Sequence, residues 1–216
     1  MAELLVIRHG QASFGQDNYD VLSDLGHEQA RAVGALLRDI GWVPDRMITG
    51  TLKRQQDTLT SMGFGDGAEE HSGFNEYDFS DLLNARFKGD VPALENGDRK
   101  AHFRMLRETV FEWQDDTFGG ARETYRAFAA RVEAARTFSI DTDARRVLVV
   151  SSGGVIGQMT SVALGAPNRE MMNLNLQIKN TALTRFMFSK NAFSLNEFNA
   201  TPHIMTKSGA HLLSYS

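Results

Sequence analysis

The sequence predicts an α/β fold: a three-layer α/β/α sandwich on a mostly parallel sheet. Three observations carry this. Apolar strand-like runs alternate with helical periodicity along the chain, which places helices on both faces of one sheet. Two of those runs, Leu4-Leu5-Val6-Ile7 and Val147-Leu148-Val149-Val150, end in polar residues and then glycine. No internal repeat, low-complexity tract or linker interrupts the 216 residues, so residues 1–216 read as one domain.

Taken in order, residues 3–8 form a buried strand ending in Arg8-His9-Gly10. Ser23 or Asp24 opens a helix whose apolar positions Ala30, Val33, Leu36, Leu37 and Ile40 recur at helical spacing, with Gly41 as its C-cap and Pro44 just beyond. Met47-Ile48-Thr49 is a short strand, followed by a helix from about Thr51 to Met62. Residues 63–73 read as a loop with room for a short strand, and residues 78–100 as irregular, polar and glycine-bearing. Two amphipathic helices follow near 99–115 and 121–139. Arg146 to Ser151 is a strand, Ser152-Gly153-Gly154 a turn, and the run from Val155 a helix. Residues 182–188 and 193–198 close the chain as a hairpin turning near Lys190-Asn191, whose edge strand is either covered or offered to a second copy as a homodimer contact.

Composition removes several function classes. The 23 Lys plus Arg against 27 Asp plus Glu give a net charge of −4, and no basic run occurs, so nucleic acid and anionic membranes are not expected partners. The absence of cysteine excludes disulfides, thiolate nucleophiles and cysteine zinc sites. Histidines 27, 71, 102, 203 and 211 lack metal-ligand spacing, so no metal or cofactor is expected. The N-terminal residues lack a signal-peptide pattern, and no apolar run approaches the roughly 18 residues of a membrane span, making a soluble cytoplasmic protein the expectation.

The strand junctions carry the chemistry. Arg8 offers a planar fork of donors suited to phosphate, and His9 a nucleophile or proton carrier near neutral pH. Arg54 lies at the start of a helix, where free amides already favour an anion; taken alone, it is equally a solvated helix arginine. Ser152 and Gly153 open a loop able to hold phosphate oxygens by its amides, or simply to pack helix on sheet. Glu76, between Phe74 and Tyr77, is a candidate general acid, although its immediate neighbours alone favour a surface loop glutamate. Phe111, Trp113 and Phe118 read first as core and second as a substrate groove.

Together these residues resemble the histidine phosphatase superfamily, which includes the cofactor-dependent phosphoglycerate mutases. Arg8-His9-Gly10 matches its N-terminal signature. Leu22-Ser23-Asp24-Leu25-Gly26-His27-Glu28-Gln29-Ala30 resembles its Leu-Thr-x-x-Gly-x-x-Gln-Ala segment. Thr49 to Arg54 resembles the segment presenting a second phosphate-binding arginine, and Phe74-Asn75-Glu76 the placement of the acid. Val147 to Gly154 resembles the strand that normally ends Val-Ser-His-Gly-Gly. The ordered matches run over roughly residues 3–155, with a looser fit beyond.

The resemblance implies a phosphoglycerate mutase-like fold with a cap insertion near residues 76–120. It also implies a phosphomonoester phosphatase in which His9 becomes phosphohistidine, Arg8 and Arg54 hold the phosphoryl group, and Glu76 protonates the leaving oxygen. Two departures matter. Ser152 stands where the family usually has a second histidine. Losing one preorganised donor costs about 10²–10³ in rate, so activity is expected to be reduced. After Glu76, Tyr77-Asp78-Phe79-Ser80-Asp81-Leu82-Leu83 is acidic and apolar where mutases carry a basic insertion, which disfavours mutase activity. The leading expectation is a phosphatase for small-molecule phosphomonoesters. The alternative is a catalytically weak phosphoester-binding protein, and a phosphoglycerate mutase ranks last.

Overall fold

The computed structural model describes residues 1–13, 20–93 and 99–215. Strand β1 (Ala2–Arg8) leads to α1 (Asp24–Asp39), β2 (Arg46–Thr49), α2 (Lys53–Ser61) and the two-residue β3 (Glu69–Glu70). Helices α3 (Phe79–Phe87), α4 (Arg99–Gln114) and α5 (Tyr125–Ile140) precede β4 (Arg146–Ser151). Helices α6 (Gly153–Ala163) and α7 (Glu170–Asn175) and the hairpin of β5 (Leu183–Ser189) and β6 (Ala192–Ala200) follow.

The sheet order is β3-β2-β4-β1-β5-β6. Its first four strands are parallel, and β5 and β6 are antiparallel to their neighbours. The apolar runs of β1 and β4 lie side by side, Leu5 opposite Leu148 and Ile7 opposite Val150. Alternation divides them between two cores. Leu5, Ile7, Leu148 and Val150 pack with Ala30, Val33 and Leu37 of α1 and Leu59 of α2. Leu4, Val6, Val147 and Val149 pack with Phe128 of α5, Ile156 of α6 and Met171 of α7. Truncating one of these fully buried aliphatics to alanine costs about 2–5 kcal/mol.

Local signals set most of the boundaries. The Ser23 hydroxyl accepts from Gly26 N at 3.1 Å as the N-cap of α1, with Asp24 in the positive first turn. Thr124 caps α5 by accepting from Ala127 N, so that helix starts four residues later than the periodicity suggests. Ile40, expected on the apolar face of α1, lies past the helix end and is exposed.

Residues 78–100 are not irregular throughout. Helix α3 runs through them, started by the Asp78 carboxylate accepting from Asp81 N at 3.0 Å. Only Leu82 of α3 is buried, too little apolar surface to imprint a 3.6-residue period. Helix α7 was likewise not anticipated; it is six residues long and buries Met171 and Met172. Trp113 belongs to the core, with Phe111 and Phe118 packed against it. Among the described residues no helix is long and apolar enough to cross a membrane.

Candidate active site

Strands β1, β2 and β4 point the same way, so their C-terminal ends open onto one edge of the sheet, where ligands of such folds bind. A cavity of about 510 Å³ lies there, lined by Arg8, His9, Arg54 and Glu76, with Tyr77, Asn175 and residues of α3 and α4.

His9 is nearly fully buried and held from several sides. Its N–H donates to Ser151 O of β4 at 2.9 Å, and its carbonyl accepts from Asn180 Nδ2 at 3.2 Å. The neighbouring Gly10 amide donates to Thr58 Oγ1 of α2 at 3.0 Å. A Cβ on Gly10 would stand 2.5 Å from Gly26 O, so the chain passes α1 at a distance only glycine permits.

The imidazole Nδ1 lies 2.7 Å from the carbonyl of Gly10, which can only accept, so Nδ1 carries the proton. Nε2 is left with its lone pair and accepts from Arg54 Nε at 3.2 Å. Burial first, then the adjacent Arg54 and Arg8 charges, hold the His9 pKa well below the ordinary 6.5, against the opposing Gly10 hydrogen bond. His9 is therefore neutral at pH 7, its Nε2 lone pair facing the Arg54 guanidinium.

Arg8 donates from Nη1 to Ile178 O. Arg54 donates from Nη1 to the Asp20 carboxylate at 2.7 Å, and the other Asp20 oxygen accepts from Lys53 N at 2.9 Å. Asp20 therefore caps α2 and pairs with its arginine.

Glu76 is brought in by the turn after a 3₁₀ segment (Ser72–Phe74). One of its oxygens accepts from Gly154 N at 3.0 Å and the other from Tyr77 N at 3.2 Å, seating the carboxyl at the N-terminus of α6. A Cβ on Gly154 would overlap both the Glu76 carboxyl and the Tyr77 ring.

Ser152 and Gly153 do not line the cavity. Ser152 is fully buried, and its hydroxyl accepts from Gln55 Nε2 at 2.8 Å. The same amide group donates to Phe74 O at 2.9 Å, tying α2 to the segment that carries Glu76. Gly153 lies against Asn175 and the Arg8 guanidinium.

Sequence reasoning passed over Asp20, Gln55 and Asn175. Gln55 directly follows Arg54 on the buried side of α2, the one local hint of its place. Asn175 donates to Tyr77 Oη at 3.1 Å in the cavity lining, a contact between residues 98 apart that no local pattern announces.

Solved structures share this architecture. A mycobacterial glucosyl-3-phosphoglycerate phosphatase is 22% identical, with 93% of this chain and 100% of that one aligned and a TM-score of 0.64. A phosphoserine phosphatase variant from Entamoeba histolytica, solved with phosphoserine, is 20% identical over 95% and 100%, TM-score 0.66. An α-ribazole phosphatase from Shigella flexneri is 22% identical over 92% and 96%, TM-score 0.63. The family model for branch 1 of the histidine phosphatase superfamily matches residues 4–201, nearly the whole chain, and the protein belongs to that superfamily.

Proposed function

We propose that the protein is a phosphomonoester phosphatase working through a phosphohistidine at His9. The observation that carries this reading is the His9 geometry: Nδ1 is protonated against Gly10 O, and Nε2 keeps its lone pair in a cavity shared with Arg8, Arg54 and Glu76. The three phosphatases of like fold agree with it in kind.

In the first step the Nε2 lone pair attacks phosphorus, the bond to the ester oxygen breaks, and the leaving oxygen takes a proton from the Glu76 carboxyl. Arg8 and Arg54 offset the charge on the transferring phosphoryl oxygens. In the second step water attacks phosphorus while giving a proton to the Glu76 carboxylate, the P–N bond breaks, and phosphate leaves with His9 restored. Residues 76–120 act as the cap that admits substrate, with α3 and α4 supplying lining residues.

A second reading is favoured by one observation. Ser152 is buried on Gln55 and adds no donor to the cavity, so the site fits a phosphoester-binding protein with slow turnover. Mutase activity fits least, because the segment after Glu76 places Tyr77, Asp78 and Phe79 in the lining where a basic insertion would stand.

The test compares the chain with His9→Ala on p-nitrophenyl phosphate, with acid-labile protein-bound phosphate trapped on the millisecond scale. The expected result is a rate loss of about 10³-fold or more and no trapped phosphate in the variant. Equal background rates for both proteins, with phosphate esters still bound, would establish the second reading.

A further inference from the structure

The cavity is larger than a phosphate group needs. At about 510 Å³ it lies within the roughly 300–1,000 Å³ typical of sites for drug-sized organic ligands. The part beyond Arg8, His9 and Arg54 has a distinct chemistry. His102, Phe103 and Leu106 share one face of α4, by their i, i+3 and i, i+4 spacing, and line it together. Phe79, the first residue of α3, meets the His102 ring edge-on at 6.0 Å, and His102 meets Phe103 likewise at 5.8 Å. Leu52 and Leu176 extend this apolar wall.

Charge argues in the same direction. Among the described residues that line the cavity, Arg8 and Arg54 are the sole lysines or arginines, and both are assigned to phosphate. The lining carboxylates are Glu76 and Asp78. Asp78 has a cation nearby, Arg122 at 3.9 Å, but that pair is solvent-exposed and offsets little of its charge. Among the described lining residues, a second anionic group on the substrate would meet two carboxylates, aromatic rings and the polar groups of Ser80, Asn175 and Tyr215, with no arginine or lysine beyond the two assigned to phosphate.

We propose that the cavity selects phosphomonoesters whose organic part is uncharged and apolar, an aryl or longer alkyl phosphate, and rejects those carrying a carboxylate. The selection rests on the phosphate-binding reading of Arg8, His9 and Arg54, but not on turnover. It comes from surface burial on the α3 and α4 wall together with the cost of stripping water from an unpaired anion.

Binding to the His9→Ala chain, measured by calorimetry with 1-naphthyl phosphate, methyl phosphate and 3-phosphoglycerate, separates this inference from the catalytic one, because no ligand is consumed. The naphthyl ester is expected to bind about 10-fold or more tightly than methyl phosphate and about 100-fold more tightly than 3-phosphoglycerate. Leu106→Arg, which places a cation on the wall, should shift the naphthyl-to-phosphoglycerate ratio by about tenfold or more towards the acid. Equal or tighter binding of 3-phosphoglycerate by the His9→Ala chain would overturn the proposal. So would a naphthyl ester that binds no better than methyl phosphate. Failure of all three to bind would overturn the phosphate-site reading itself, whereas normal binding ratios without turnover in the wild-type chain would sink only the phosphatase reading.

Discussion

Two adjacent strands, β1 and β4, leave the sheet in the same way and arrive at different chemistry. Each is an apolar run entering a polar residue and glycine, and Arg8 lies opposite Ser151 at their shared end. From β1 come a guanidinium and an imidazole, both facing the cavity. From β4 comes Ser152, buried against Gln55, followed by an α6 N-terminus whose Gly154 amide holds Glu76. One junction presents charge, and the other places the carboxyl that complements it. The backbone plan does not decide which arm does chemistry; two or three side chains at its tip do.

Breaking the β4 arm gives the largest expected effect. Gly154→Ala puts a methyl group into the space of the Glu76 carboxyl and Tyr77 ring, displacing the proposed proton donor while leaving β1 untouched. Phosphatase turnover should fall about 10²-fold, with smaller losses on substrates whose leaving group needs no proton, such as p-nitrophenyl phosphate. Equal losses on all leaving groups would show that Gly154 supports the fold more than the acid.

Making the arms alike gives a smaller change of opposite sign. Ser152→His alone would drive an imidazole into the Gln55 amide, so it is paired with Gln55→Ser to open that space and compared with Gln55→Ser alone, which loses the same tie to Phe74. The double variant should gain about tenfold in kcat, less than the 10²–10³ of an ideally placed donor. No gain in a folded double variant would mean that the buried β4 junction does not limit turnover.

Acid titration sharpens the comparison through the residues that buttress β1. His203 lies buried after β6, with Nε2 2.9 Å from Thr181 Oγ1 and Nδ1 without a hydrogen-bond partner among the described residues. Burial lowers its pKa from 6.5 to about 4. The folded chain then binds fewer protons than the unfolded one below pH 6.5, so stability is lost as pH falls from 6.5 towards 4. That loss amounts to about 2 kcal/mol by pH 5. Urea unfolding at pH 7.5 and 5 should show it, and His203→Gln should remove most of it. His9 shifts in the same direction, so the acid limb of kcat/KM for the free enzyme lies well below pH 6.5.

How far the sequence could be read follows from where each feature gets its information. The strands β1 and β4, the cap at Ser23 and the left-handed Gly41 that ends α1 are written locally, in runs of apolar residues and single cap positions. Arg8, His9, Arg54 and Glu76 stand out by residue type at element ends, and all four line one cavity. Helix α3 escaped because one buried leucine makes no periodicity. Gln55, Asn175 and Asp20 escaped because a neutral amide or a loop carboxylate becomes informative only once the fold brings a partner to it. Ser152 and Gly153 were read by analogy with β1; neither lines the cavity, Ser152 being buried on Gln55 and Gly153 seated against Asn175 and the Arg8 guanidinium.

The ties on His9 and Arg8 have a consequence for the order in which the molecule is completed. Asn180 holds the His9 carbonyl, Ile178 accepts from Arg8, and the Thr181 amide donates to the Arg8 carbonyl at 3.1 Å. Asn180 is itself gripped by Ser214, whose hydroxyl donates to its side-chain oxygen at 3.0 Å. Residues from the first tenth of the chain thus depend on residues from its last fifth, across separations of 170 and 171 residues for Arg8–Ile178 and His9–Asn180. When only residues 1–80 have left the ribosome, every side chain of the proposed reaction is out, but the ties that Ile178, Asn180 and Thr181 make to Arg8 and His9 are still to come. A chain truncated before Ile178 is therefore expected to lack the proposed activity even with Arg8, His9, Arg54 and Glu76 all present.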